Sequence, residues 1–115
     1  MLKLKVLIID DEEDYCGIMK NYFSRRAYSV TVCHTLREGL SQLAESKPDI
    51  VLLDNNLPDG KGWNHVESIL ENHPGVRLYL VSAYYKKEDS FVTADDSRMT
   101  IWEKPLSMAL LNEHF

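Results

Sequence analysis

The chain has 115 residues, 44% apolar and 27% charged, an ordinary globular balance that suits one domain with a core needing no staples. Thirteen Lys and Arg against 18 Asp and Glu give a net charge of −5, with no basic cluster beyond Arg25-Arg26 and Lys86-Lys87, which argues against a nucleic-acid footprint. The first apolar run, Val6 to Ile9, is too short for a signal peptide or a membrane span.

Strand-like and helix-like patterns alternate along the chain. Short β-branched runs bounded by turn residues read as buried strands at residues 3–9, 29–33, 50–53, 76–81 and 99–102. A first helix is predicted over 13–27, where Tyr15, Ile18, Met19, Tyr22 and Phe23 follow helical spacing on one face. Its acidic start, Asp11-Glu12-Glu13-Asp14, suits the positive end of the helix dipole. A second helix opens with a capping box, Thr35 to Glu38, turns Leu36, Leu40, Leu43 and Ala44 inward, and stops before Pro48. After the third strand comes a loop over 55–62 holding Pro58, Gly60 and Gly62, then a third helix over 63–71 ended by His73-Pro74-Gly75. A fourth helix over 86–94 is weakly patterned, with Phe91 and Val92 its clear anchors. A fifth runs from Leu106 to Phe115; ten residues is short for a helix that covers a sheet face, which points to a chain cut there, a natural end being the alternative.

Five strand–helix units imply one α/β domain over residues 1–115, a parallel sheet with right-handed crossovers and helices on both faces. In such a sheet all strands end on one edge, where ligands bind. Asp10-Asp11 follow the first strand, Asp54 the third and Ser82 the fourth, while Lys104 lies just past the fifth. Three carboxylates, a hydroxyl and an ammonium therefore meet at that edge. At ~5 Å and an effective dielectric of ~20, two like charges repel by roughly 3 kcal/mol, so the cluster calls for a cation. Magnesium takes one or two carboxylates and keeps waters, which makes Asp11 and Asp54 the expected direct ligands and Asp10 a ligand through water. An isolated acidic pair is usually a solvated turn; Asp54 at the matching end of another strand rejects that reading here. Asp54 is also a candidate nucleophile for an acyl phosphate, with Lys104 as a point charge for phosphoryl oxygens and Ser82 as a hydrogen-bond donor.

Other chemistries find no support in the spacing. No GxGxxG or GxxxxGK[ST] is present, so nucleotide binding is disfavoured. His34, His65, His73 and His114 lie in different elements and read as solvated or structural. Cys16 and Cys33 fit no metal or redox spacing and read as reduced, buried thiols of a cytosolic protein.

Four pieces, Ile8-Ile9-Asp10-Asp11-Glu12, Leu53 through Gly62, Ser82-Ala83 and Lys104-Pro105, resemble the receiver domain of two-component response regulators, in order and across essentially the whole chain. The resemblance implies a flavodoxin-like (βα)5 fold, CheY-like, with sheet order 2-1-3-4-5, in a cytoplasmic bacterial protein. It implies that Asp54 accepts a phosphoryl group from a histidine kinase or phosphotransfer protein. Mg2+ would be held by Asp11, Asp54 and the backbone carbonyl of Asn56, with Ser82 and Lys104 at the phosphoryl group and a cis Lys104–Pro105 bond. The signal would pass through the fourth helix, fifth strand and fifth helix, with Ser82, Ile101 and Trp102 as switch candidates. Asn56 and Tyr84, each two residues past a site residue, are expected to tune the phosphoryl lifetime. An output domain would lie beyond Phe115 or on another chain; a homodimer through the switch face is the further partner expectation, and no membrane is involved.

The chain departs from the family pattern at two places. Ile101 stands where receivers carry Tyr or Phe, three residues before the lysine, and Ser97-Arg98 replace a usual Gly-Ala pair. Trp102 reads as a core or interface anchor. The competing functions are a degenerate receiver that acts as an interaction module without phosphorylation, and a small Mg2+-dependent aspartyl-phosphate phosphatase. The second lacks the acid two residues past its nucleophile, where Asn56 stands.

Overall fold

The computed structural model describes residues 3–83 and 96–115. Its elements are β1 (Lys5–Ile9), α1 (Glu13–Arg25), β2 (Ser29–Cys33), α2 (Leu36–Ser46), β3 (Ile50–Asp54), the short strands β4 (Asn56–Leu57) and β5 (Gly60–Lys61), α3 (Val66–Asn72), β6 (Arg77–Ser82), β7 (Met99–Glu103) and α4 (Met108–His114). The predicted helix over 86–94 and Tyr84 lie outside the described residues.

Five parallel strands form one sheet in the order β2-β1-β3-β6-β7. This is the 2-1-3-4-5 order of the five principal strands, so the expected α/β architecture holds. β1 lies between β2 and β3, with Ile9 opposite both Cys33 and Leu53. Strand residues alternate between two cores because successive side chains point to opposite faces. Val6, Ile8, Ile50, Leu52, Tyr79, Val81 and Trp102 pack with α1 and α4. Leu7, Ile9, Val51, Leu53, Leu78 and Leu80 pack with α2 and α3, and Ile101 joins that side.

The α1/α4 core is aromatic. Trp102 stacks on Tyr79 at 4.6 Å between centroids, and Phe115 meets Phe23, Tyr79 and Trp102 edge-on. Such contacts add to the area buried. Trp102 thus faces away from Ile101 and cannot take over its place.

Several local expectations are corrected. Ile18 is 56% exposed; the buried stripe of α1 runs through Cys16, Met19, Tyr22 and Phe23, which leaves Ile18 on the flank. Ala44 is exposed too, and Gly39 takes the inward place in α2, against Ile9. The loop after β3 contains the β4–β5 hairpin, and a 3-10 turn over Gly62–His65 precedes α3. The last helix starts at Met108 because Ser107 caps it, its hydroxyl accepting from Leu110 N at 3.0 Å.

Arg98 explains the missing Gly-Ala pair. Its guanidinium donates to Leu70, His73 and Pro74 carbonyls at the end of α3 and to both oxygens of Asp96. A helix end needs such partners for its last carbonyls.

Candidate functional site

The carboxyl edge of the sheet gathers the polar residues. Asp10 follows β1 and is 1% exposed; Asp54 ends β3 at 5% and Ser82 ends β6 at 1%. Asp10 N donates to Cys33 O and Lys104 N to Ser82 O, each at 2.9 Å, so the ladder continues past the strands and delivers both side chains to the edge. The Lys104–Pro105 peptide bond is cis.

Lys104 Nζ lies 2.7 Å from Asp10 Oδ2, 3.6 Å from Glu12 Oε2 and 3.8 Å from Asp54 Oδ1. One carboxylate oxygen each from Asp10, Asp11 and Asp54 fall within 4.8 Å of one another. One ammonium therefore stands among four carboxylates. Burial, and next the Asp10 charge, push the Asp54 carboxyl up to about 7, against the pull of Lys104. Burial also raises Asp10, opposed by the hydrogen bonds it accepts from Lys104 and Glu12 N. Burial draws the Lys104 ammonium down, but Asp10 and Asp54 outweigh it and its pKa rises. The charge deficit is the feature of this edge: two buried carboxylates hold their charge at a cost that a cation would relieve.

The surroundings fix these groups. Glu12 N donates to Asp10 Oδ1 at 2.9 Å. The Asp10 carbonyl receives Cys16 Sγ at 3.3 Å and His34 Nδ1 at 3.0 Å, the latter with the ring proton on Nδ1. Both residues are thus structural supports of the acidic turn, and burial lifts the Cys16 thiol to about 12, which keeps it inert. Gly62 passes so close to the Asp54 carbonyl that a Cβ there would collide with it. Trp63 Nε1 donates to Leu53 O and Trp63 N to Asn55 Oδ1. Asp59 reaches across to accept from Leu36 N and Arg37 N, so the loop after Asp54 caps α2 together with Thr35. Those two amide bonds hold the Asp59 carboxyl below the usual range.

The structure brings together Asp10, Asp11, Asp54 and Lys104, with Ser82 beside them. Asp11 is exposed, and the Asn56 side chain is exposed with its Oδ1 held by Lys61 Nζ at 2.6 Å. Ile101 is half-buried on the α2/α3 side; Trp102 is buried on the other. The sequence reading missed Glu12 as a neighbour of Lys104, and missed Trp63, Asp59 and Tyr15, whose ring lies under the Lys104 ammonium. Only Tyr15 could have been flagged, as an aromatic one helical turn past the acidic pair. The donor set fits a hard divalent cation: all oxygen, anionic, and partly open through Asp11.

No helix among the described residues is long and apolar enough to cross a membrane. Residues 6–115 match the family described as the response regulator receiver domain. The transcriptional regulatory protein YxdJ of Bacillus subtilis is 30% identical over 103 residues, covering 90% of this chain and 44% of that protein. The KDP operon transcriptional regulatory protein KdpE of Escherichia coli is 28% identical, covering 92% of this chain and 47% of that protein. The chain thus spans less than half the length of these regulators. Among solved structures, a CheY-like receiver domain protein from Methanospirillum hungatei superposes with a TM-score of 0.87 at 26% identity, covering 98% of this chain and 90% of that one. With this match across nearly its whole length and this sheet order, the chain belongs to the response regulator receiver domains of two-component systems.

Proposed function

We propose that this domain is a phosphoacceptor switch, and that Asp54 is the acceptor. The observation that carries the proposal is the buried Asp54 carboxylate beside one lysine that two further carboxylates, Asp10 and Glu12, share. An Asp54 oxygen attacks the phosphorus of a phosphohistidine on a histidine kinase or phosphotransfer protein; the P–O bond forms as the P–N bond breaks, and the imidazole leaves with the electron pair and takes a proton. Asp11, Asp54 and the Asn56 backbone carbonyl would hold Mg2+, with Asp10 bound through water. When bound, the ion supplies the positive charge that lets an anionic acceptor meet an anionic donor. Lys104 exchanges part of its pairing with Asp10 for a phosphoryl oxygen, and Ser82 donates a hydrogen bond to another.

Phosphorylation adds roughly −1.5 to −2 of charge to an edge already short of cations. The response would be a two-state shift around β7 and the last helix, read by an output domain or a partner protein in the cytoplasm. Asn56, held toward Lys61, and Tyr84 would set how long the acyl phosphate lasts; Tyr84→Ala should then speed its loss.

The test is incubation with acetyl phosphate and magnesium, read as intact mass, beside Asp54→Asn and a chelator. One added phosphoryl group, absent in the variant and with chelator, is expected. No gain on folded protein would overturn the reading. A second reading rests on Ile101, which packs among aliphatic residues: a receiver that works as an interaction module without phosphorylation. That module would bind its partner equally well as Asp54→Asn.

A further inference from the structure

We propose that the ring of Tyr15 positions the Lys104 ammonium, as an uncharged attractor that holds it at the acidic edge while its anionic partners change. The inference rests on the phosphoacceptor reading for its consequence and on the structure for its geometry. Lys104 Nζ lies 4.4 Å from the Tyr15 ring centroid, within the range at which an ammonium is drawn to an aromatic face. The lysine side chain is only 9% exposed, so water competes weakly for it.

A lysine ammonium is a point charge on a flexible four-carbon stem and has no geometry of its own. Its place is set by what surrounds it. Asp10, Glu12 and Asp54 pull on it at 2.7, 3.6 and 3.8 Å, and each of those pulls alters when a cation binds or Asp54 is esterified. The ring does not alter. It accepts no phosphoryl group, does not compete for the hydrogen bonds of the ammonium, and stays neutral, since burial and the Asp10 charge push the phenol well above its ordinary value.

The proposed role belongs to the ring and not to the hydroxyl. The hydroxyl is buried and has no hydrogen-bond partner among the described residues. A Phe or Leu would fill the space without burying an unpaired donor. Leu would forfeit the ring face; Phe would keep it.

Two readouts test the idea on the same protein. The first is the NMR position of the Lys104 Cε–Hε signal, assigned with Lys104→Arg. A ring beneath the ammonium should shift it upfield of the other lysines, in the unmodified protein and in Tyr15→Phe, and not in Tyr15→Leu or Tyr15→Met. The second is the rate of phosphoryl uptake from acetyl phosphate with magnesium. Tyr15→Phe should stay within about twofold of the parent, and the two aliphatic variants should slow it about tenfold. A purely structural role would lower the melting temperature without moving the lysine signal. An unshifted Lys104 signal in the parent, or uptake at the parental rate in a folded aliphatic variant, overturns the proposal. If the parent takes up no phosphate, the phosphoacceptor reading fails, and the lysine signal alone then decides whether Tyr15 positions Lys104.

Discussion

Arg98 and Lys104 stand at opposite ends of the same strand, β7, and their surroundings could hardly differ more. Arg98 presents five N–H bonds, and each finds an acceptor: two oxygens of Asp96 and the carbonyls of Leu70, His73 and Pro74. Asp96 is matched in turn, and the guanidinium holds its carboxyl down to about 2. Lys104 faces Asp10, Glu12 and Asp54 with Asp11 close by, so anions outnumber it. The lesson is in the balance of charge. A saturated cluster pins an element in place; a cluster short of positive charge awaits a ligand, and the fold tolerates the cost because the ladder past β1 and β7 leaves those side chains no other position.

The sharpest way to break this contrast is to relieve the deficit by mutation. The Asp54 carboxyl binds its proton more tightly folded than unfolded, so its contribution to stability is full below about pH 4 and is lost as pH rises through about 7. Asp54→Asn should therefore stabilise the metal-free domain at pH 7.5 by up to about 4 kcal/mol, three pKa units' worth, and change little at pH 4. Urea unfolding at the two pH values measures this. A variant no more stable than its parent at pH 7.5 would show that the edge carries no such cost.

Relief by a ligand should be next in size. Magnesium at a hundredfold excess over its Kd should raise stability by about 2.7 kcal/mol at pH 7.5, and by much less at pH 5, where Asp54 is protonated. Thermal melts with and without the ion check it, and an equal shift in Asp54→Asn would place the ion elsewhere.

The saturated end should respond in the opposite sense. Arg98→Ala should lower the urea midpoint at every pH, because no ligand compensates for the freed carbonyls, and Arg98→Lys should not rescue it, lacking the planar fork. In the parent, the Asp96 contribution is present above about pH 4 and is lost as pH falls toward 2. The smallest effect concerns the cap of α2. Thr35→Ala should cost about 1 kcal/mol, read by the same unfolding curves, or less if Asp59 holds the helix start alone.

The two ends of β7 also differ in how plainly the sequence announces them. Asp10, Asp54, Ser82 and Lys104 each follow a short apolar run, and a parallel sheet places all such ends on one edge, so the site could be assembled from order alone. Arg98 read as a departure from a pattern, because its partners come from α3 some two dozen residues earlier and no local periodicity links them. Ile18 misled for a related reason: positions 15, 18, 19 and 22 satisfy helical spacing as well as 16, 19, 22 and 23, and only the tilt of α1 on the sheet decides between them. The Asp59 cap and the Tyr15 ring under Lys104 are likewise contacts between distant elements, invisible until the chain is folded.

Trp63 holds both flanks of Asp54, its indole N–H on Leu53 O and its amide on Asn55 Oδ1, one residue to either side. The domain therefore carries its own fluorophore, wired to the acidic edge. A displacement of Asp54 alters the hydrogen bond of that indole, so emission from Trp63 reports events at the site without a label, once the second emitter, Trp102, stacked on Tyr79 in the opposite core, is replaced by Phe.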